Sequence, residues 1–261
     1  MVALIVDAFV INSSQEFTTY QLIVLSALPS FIAGLLDDLF FQVKPIFRLI
    51  LMLPTPILFF YIVGIKITSL SIWHFDDFLE QEIFALVFLI FALLGMSNAF
   101  NIIDGFNGLL LGFVISIALS IFFYGSFSNQ FFISNFLYGL FFSCLAVLIF
   151  NSPFGKIFLG DAGAYLLGVL VPAALIFYYK VNNLSPWFVM LMLIYPTTEV
   201  LVSIVRKIGF RRMSAMEPDG LHLHMLIYKR VSKKVGFRRV RLRHFLVALL
   251  IFMLNFPFMF L

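Results

Sequence analysis

The chain has 261 residues, 62% of them hydrophobic and only 11% charged, with a net charge of +4. An ordinary soluble domain is about 25% charged, so this composition excludes a soluble fold and places the chain in a bilayer, with no nucleic-acid partner expected. The single Cys144 lies in the apolar run FFSCLAVLIF, which excludes an intramolecular disulfide and reads as a buried, inert thiol.

Residues 1–12 are apolar but too short to span, and residues 1–20 lack the basic start and small-residue cleavage site of a signal peptide. Residues 1–12 are expected to lie at the interface or to be the stub of a helix. Apolar runs long enough to cross the hydrocarbon then follow at 20–36, 47–65, 83–100, 108–124, 131–150, 164–179, 187–205 and 244–261. The second contains Pro54 and Pro56, read as kinks that neighbouring helices accommodate. Between the second and third, ITSLSIWHFDDF (67–78) partly alternates and predicts a short external strand or hairpin, with His74, Asp76 and Asp77 as solvated surface. The fold class is an all-α polytopic membrane protein with about eight transmembrane helices in a single domain over 1–261.

About eight spans put the connections near 37–46, 101–107, 151–163 and 206–243 on one side of the membrane. Fifteen of the 17 Lys and Arg fall on that side, twelve of them in 206–243; only Lys66 and Lys180 fall on the other. The positive-inside rule makes the basic side cytoplasmic.

Four polar islands share that side: GLLDDLFFQVK (34–44), NAFNIIDGFNGL (98–109), FLGDAG (158–163) and EPDGLHLH (217–224). Carboxylates in or beside a span are costly and point to function. Asp37 and Asp38 are adjacent, so they repel unless a cation neutralises them, which suits Mg²⁺ binding or general-base work; Lys44 follows, close enough to hold an anion. Asn98, Asn101 and Asp104 recur at i, i+3 and i+6, roughly one helix face, and offer the oxygen ligands that hard cations prefer. Asp161 can cap the sixth span, bind metal, or do both, with a helix N-terminus behind it that favours phosphate. His222 and His224, two apart, can converge on one ligand in a turn. Arg206, Arg211, Arg212, Lys229 and Arg230 make their loop cationic, and Lys233–Arg243 reads as a binder of anionic lipid headgroups. A zinc site is disfavoured, because the spacing fits no usual zinc motif. Carboxylates beside basic groups at a membrane surface are the equipment of metal-assisted phosphoryl transfer between a lipid and a water-soluble substrate.

In this order the islands resemble the polyprenyl-phosphate N-acetylhexosamine-1-phosphate transferases (glycosyltransferase family 4). GLLDD matches the paired aspartates, NAFNIIDGFNGL matches N-x-x-N-x-x-D-G-x-x-G-L, FLGDAG matches F-x-G-D-x-G, and PDGLHLH matches P-D-x-x-H-x-H, over about residues 25–235. The resemblance implies transfer of sugar-1-phosphate from a UDP-N-acetylhexosamine to a polyprenyl (undecaprenyl) phosphate, with release of UMP, for cell-envelope polysaccharide synthesis. It implies Mg²⁺ or Mn²⁺ as cofactor, held by Asp161, Asp104 and Asp38. Asp37 would deprotonate or position the lipid phosphate with Asp38 alongside, and Lys44 would bind that phosphate. Asn98, Asn101 and Asp104 would shape the nucleotide pocket, and His222, His224 and Arg212 would contact the donor. Direct attack by the lipid and a transient aspartyl-phosphate both remain open. The partners are these substrates and the bilayer, with a homodimer left open, in the cytoplasmic membrane with the site facing the cytoplasm. Glu199 stands where the family often has Asp, and Met225 where many members have a third His. Because the family carries further helices before its paired aspartates, a silent structural relative is the alternative reading. A transporter is disfavoured, because the acids gather at one face rather than along a midplane path.

Overall fold

The structure is a computed structural model and describes residues 14–40, 43–125, 131–211, 220–235 and 240–255. Residues 1–12 and Arg212 therefore lie outside the described residues. Helices account for almost all of the regular structure, and no strand occurs among the described residues. Four helical segments are long and apolar enough to cross a membrane: Gln21–Phe40, Pro45–Val63, Glu82–Ile103 and Gly160–Val181. The chain is a multi-pass, all-α membrane protein.

The first of these segments is two helices, α1 (Ser14–Ser26) and α2 (Leu28–Phe40), that meet at Ala27. The second is α3 (Pro45–Met52) and α4 (Pro54–Leu58), followed by a π turn over Phe59–Val63. Pro54 opens α4 at a position whose N–H has no helical partner to lose, so the proline divides the span without an orphaned carbonyl.

The expected external hairpin does not form. Residues 64–74 are irregular and lead into a short helix, α5 (Phe75–Leu79). The Asp76 carboxylate accepts from Ser69 Oγ and from the Leu70 and Ser71 N–H groups, so these donors are taken by a side chain rather than by a second strand. Ser71 (φ 57°) and His74 (φ 60°) also break the extended path. These hydrogen bonds, first from Ser69 and then from Leu70, hold the Asp76 carboxyl below its ordinary range.

The remaining apolar runs form α6 (Glu82–Ile103), α7 (Leu109–Gly125), α8 (Phe131–Asn151), α9 (Gly160–Val181), α10 (Trp187–Met192), α11 (Ile194–Val205), α12 (Leu223–Val235) and α13 (Val240–Asn255). The core centres on α9, which is buried on nearly every side from Ala162 to Tyr179. A helix apolar all round is one that neighbours enclose. It packs chiefly along α2 and α6. The α2 crossing is tight: a Cβ on Gly34 would stand 2.5 Å from the Ala162 Cα, so only glycine lets the two backbones meet. That contact sets the end of α2, with its two aspartates, against the start of α9.

Candidate active site

At this crossing the paired aspartates separate into two tasks. Asp38 Oδ1 accepts from the Asp161 N–H (2.9 Å) and Oδ2 from the Ala162 N–H (3.0 Å). The sequence suggested Asp161 as the cap of its own helix; the cap comes instead from 123 residues away. A carboxylate on two orphan N–H groups at the positive end of a helix contributes about 1–2 kcal/mol. Gly160 completes the fit. It adopts φ 70°, and a Cβ there would lie 2.6 Å from Asp38 Oδ2. Asp38, expected beside the metal and the lipid phosphate, thus spends both oxygens on the helix start.

Asp37 faces the other way. Its Oδ2 accepts from Arg48 Nη1 at 2.6 Å, and its side chain is 9% exposed. The same Nη1 reaches the Tyr165 hydroxyl at 2.9 Å and Asp161 Oδ2 at 3.8 Å, and Asn101 Nδ2 donates to the Tyr165 hydroxyl at 3.0 Å. The Asp37 and Asp161 carboxyls thus share Arg48 as a neighbour, and like charges so close favour a shared proton or a further cation between them. Lys44 is exposed at the N-cap of α3, one turn before Arg48. Arg48 was counted in the sequence only as a topological charge, and nothing in an apolar run such as PIFRLILM marks it as the cation that enters the site.

Asp104 closes this half from the C-terminal end of α6. Burial, then Asp161 and Asp38, push its carboxyl up to about 7. Asn101 lies on the same side of α6 and is half-buried, whereas Asn98 is exposed. Beside Asp104 is a cavity of about 300 Å³ bounded by Asn107, Asn151, Phe154, Phe158, Arg241 and His244 among others. Asn151 frames it: its Oδ1 accepts from the Gly108 N–H (2.6 Å) and its Nδ2 donates to the Ile157 carbonyl (2.8 Å), which ties the second island to the segment leading into the third.

The histidines form a second half around Glu199. His222 Nδ1 lies 3.1 Å from Glu199 Oε2, and His224 Nδ1 lies 3.4 Å from Oε1 and 3.1 Å from the Tyr195 hydroxyl. The Leu223 N–H donates to Oε1 at 2.9 Å. The two imidazoles stack with centroids 5.4 Å apart and 9° between their planes. An ionised carboxylate only accepts, so it fixes a proton on the His222 Nδ1 that faces it and favours one on His224 Nδ1, leaving Nε2 as the free edge. His224 Nε2 has no protein partner and lies beside Gly105, next to Asp104. Glu199 was noted in the sequence as a departure from the family pattern, not as a site residue. A carboxylate in YPTTEVLV, inside a span, was the available signal.

Among the described residues no three His, Cys, Asp or Glu side chains converge as a closed metal cage. Mg²⁺ does not require one: it commonly takes one or two carboxylates and completes its shell with water and substrate phosphate. The crowded, all-oxygen donor set of Asp161 and Asp104 fits that habit.

Comparison with known proteins accords with this geometry. Residues 20–179 match glycosyl transferase family 4. The chain is 29% identical over 215 residues to the undecaprenyl-phosphate alpha-N-acetylglucosaminyl 1-phosphate transferase of Thermotoga maritima, covering 80% of this chain and 62% of that one. It is 30% identical to the phospho-N-acetylmuramoyl-pentapeptide-transferase of Listeria innocua (62% of this chain, 54% of that one) and 34% identical to that of Listeria welshimeri (45% and 40%). It thus spans about half to three-fifths of the first two relatives' length. The family match covers more than half of the 261 residues, and the chain belongs to glycosyl transferase family 4.

Proposed function

We propose that the protein transfers N-acetylhexosamine-1-phosphate from a UDP-sugar to a polyprenyl phosphate at the cytoplasmic face of the inner membrane. The observation that carries this reading is the convergence of Asp37, Asp161, Arg48, Tyr165 and Asn101, drawn from four separate helices, on one point at the end of the buried α9. The names of the two relatives, each a transferase of a phosphorylated N-acetyl sugar, support the substrate class.

In this reading an oxygen of the lipid phosphate attacks the β-phosphorus of the donor. The bond from that phosphorus to the bridging oxygen breaks, and UMP leaves with the electron pair. Asp37, oriented by Arg48, positions the acceptor phosphate and takes its proton. The Arg48 guanidinium offers charge to the same phosphate. The cavity beside Asp104 receives the nucleoside: the exposed Phe158 and Phe154 rings offer stacking faces, and Asn107 offers an amide edge. Glu199 holds the histidines so that an Nε2 edge meets the donor. Asp161 and Asp104 would hold Mg²⁺ or Mn²⁺, which supplies charge neutralisation for the diphosphate.

The test is UMP release by the purified full chain from UDP-N-acetylglucosamine and other UDP-N-acetylhexosamines, with undecaprenyl phosphate and Mg²⁺. Turnover that is lost in Asp161→Ala is expected. A folded wild-type sample inert with every donor would overturn the reading and favour the silent relative.

A further inference from the structure

Helix α12 has two faces, and the transferase reading uses only one. The inner face is fixed. His224 is fully buried, Ser232 is 5% exposed, and Met225, Tyr228 and Val231 pack on the core. Arg243 of α13 clamps it, donating to Ser232 Oγ at 2.8 Å with its guanidinium 4.9 Å from the Tyr228 ring centroid. The helix therefore cannot roll, and its outer face is set. That face reads Leu223, Leu226, Lys229, Arg230, Lys233: two exposed leucines followed in the same line by three exposed cations, around a surface groove of about 480 Å³.

The charge on this segment is one-sided. Residues 220–255 carry eight Lys and Arg and no Asp or Glu, so no acid within the segment balances them. On one side in the sequence lies α11, whose Leu201, Val202 and Val205 are exposed apolar groups. On the other lies α13, whose exposed apolar groups include Phe245 and Leu250. Both are helices the sequence reads as spans, so α12 is tethered at each end to the membrane, on the side where basic residues gather. A helix with leucines and cations on one exposed face, held at a bilayer surface, meets the conditions for interfacial docking.

We propose that the outer face of α12 docks on the anionic phospholipid headgroups of the adjacent leaflet, with Leu223 and Leu226 entering the headgroup–acyl boundary and Lys229, Arg230 and Lys233 pairing with lipid phosphates. Each cation near such a surface contributes about fivefold to the association. The inference is independent of catalysis: His224 lies in the first turn of the same helix and His222 just before it, and Glu199 already holds both.

The experiment places a nitroxide at position 226 (Leu226→Cys in a Cys144→Ser background) of the full chain in nanodiscs of phosphatidylcholine with or without phosphatidylglycerol. With the anionic lipid, the label is expected to gain oxygen collisions and lose access to a water-soluble nickel reagent. Lys229→Gln/Arg230→Gln/Lys233→Gln, or high salt with the otherwise unsubstituted chain, is expected to abolish the difference. Equal nickel access in both lipid compositions would overturn the proposal, as would a difference that survives salt and neutralisation. The readout does not depend on turnover, so an inert enzyme leaves this test intact.

Discussion

The two halves of the site handle charge in opposite ways. At the α2–α9 crossing, Asp37 and Asp161 share one guanidinium, with Asp38 on the helix start and Asp104 close enough to feel both Asp161 and Asp38, so negative charge exceeds its internal partners. Around Glu199, one carboxylate meets two imidazoles and a backbone N–H, with the Tyr195 hydroxyl on one of the imidazoles, so its acceptors are spent within the protein. On the proposed function the first arrangement takes a cation to complete it, whereas the second has its partners within the protein and serves to orient. The same chemical change, neutralising one acid, should therefore move stability in opposite directions in the two halves.

The largest effect expected is in the first half. Asp161→Asn lowers UMP release on the order of a thousandfold while leaving the melting temperature unchanged or higher, since it relieves carboxylate repulsion. On the proposed reading Mg²⁺ should raise the melting temperature of the wild type and not that of Asp161→Asn; a fall in melting temperature of the variant without Mg²⁺ would break the comparison. In the second half, Glu199→Gln turns an amide N–H towards one ring and costs about 3 kcal/mol of stability, because a buried partner is removed from a closed network. Denaturation in detergent micelles measures this, and Glu199→Asp should recover part of both stability and donor KM. Asp38 sharpens the boundary between the halves. Asp38→Ala is expected to cost about 1–2 kcal/mol as a lost cap, and Asp38→Asn less. A thousandfold activity loss without destabilisation would move Asp38 into the chemistry. The smallest effect lies at the outer turn. Because the folded Asp76 carboxyl sits below its ordinary value, the stability it lends is fully present above about pH 4 and is lost as pH falls through its lowered folded value. Hydrogen-exchange protection over residues 64–81, corrected for the intrinsic exchange rate at each pH, should fall below that point and show no such fall in Asp76→Asn.

Most of the fold was legible because apolar run length is a strong constraint in a bilayer: the first, second, third and sixth runs coincide with helical segments long enough to cross a membrane. The outer segment was misread because alternation signals a strand only if the backbone donors seek another strand, and a local carboxylate captured them first. In the site, the acids and histidines were visible as polar breaks in hydrocarbon. Arg48 and Tyr165 were not: Arg48 sits singly in an apolar run and Tyr165 is one of many aromatics, while Glu199 was visible as a carboxylate inside a span but was read only as a departure from the family pattern. The division of labour between Asp37 and Asp38 was also hidden, since adjacent residues on a helix point about 100° apart and only the crossing decides which meets α9.

The cap that Asp38 provides has a cost in time. Its N–H partners are made 123 residues later, an interval of roughly 6–25 s at ordinary synthesis rates. Throughout that interval the nascent α2 stands in the bilayer with both aspartates at its basic-side end and no α9 to receive them. The protein thus completes the floor of its candidate site late in biogenesis, and until then the paired acids depend on water at the membrane surface for their solvation.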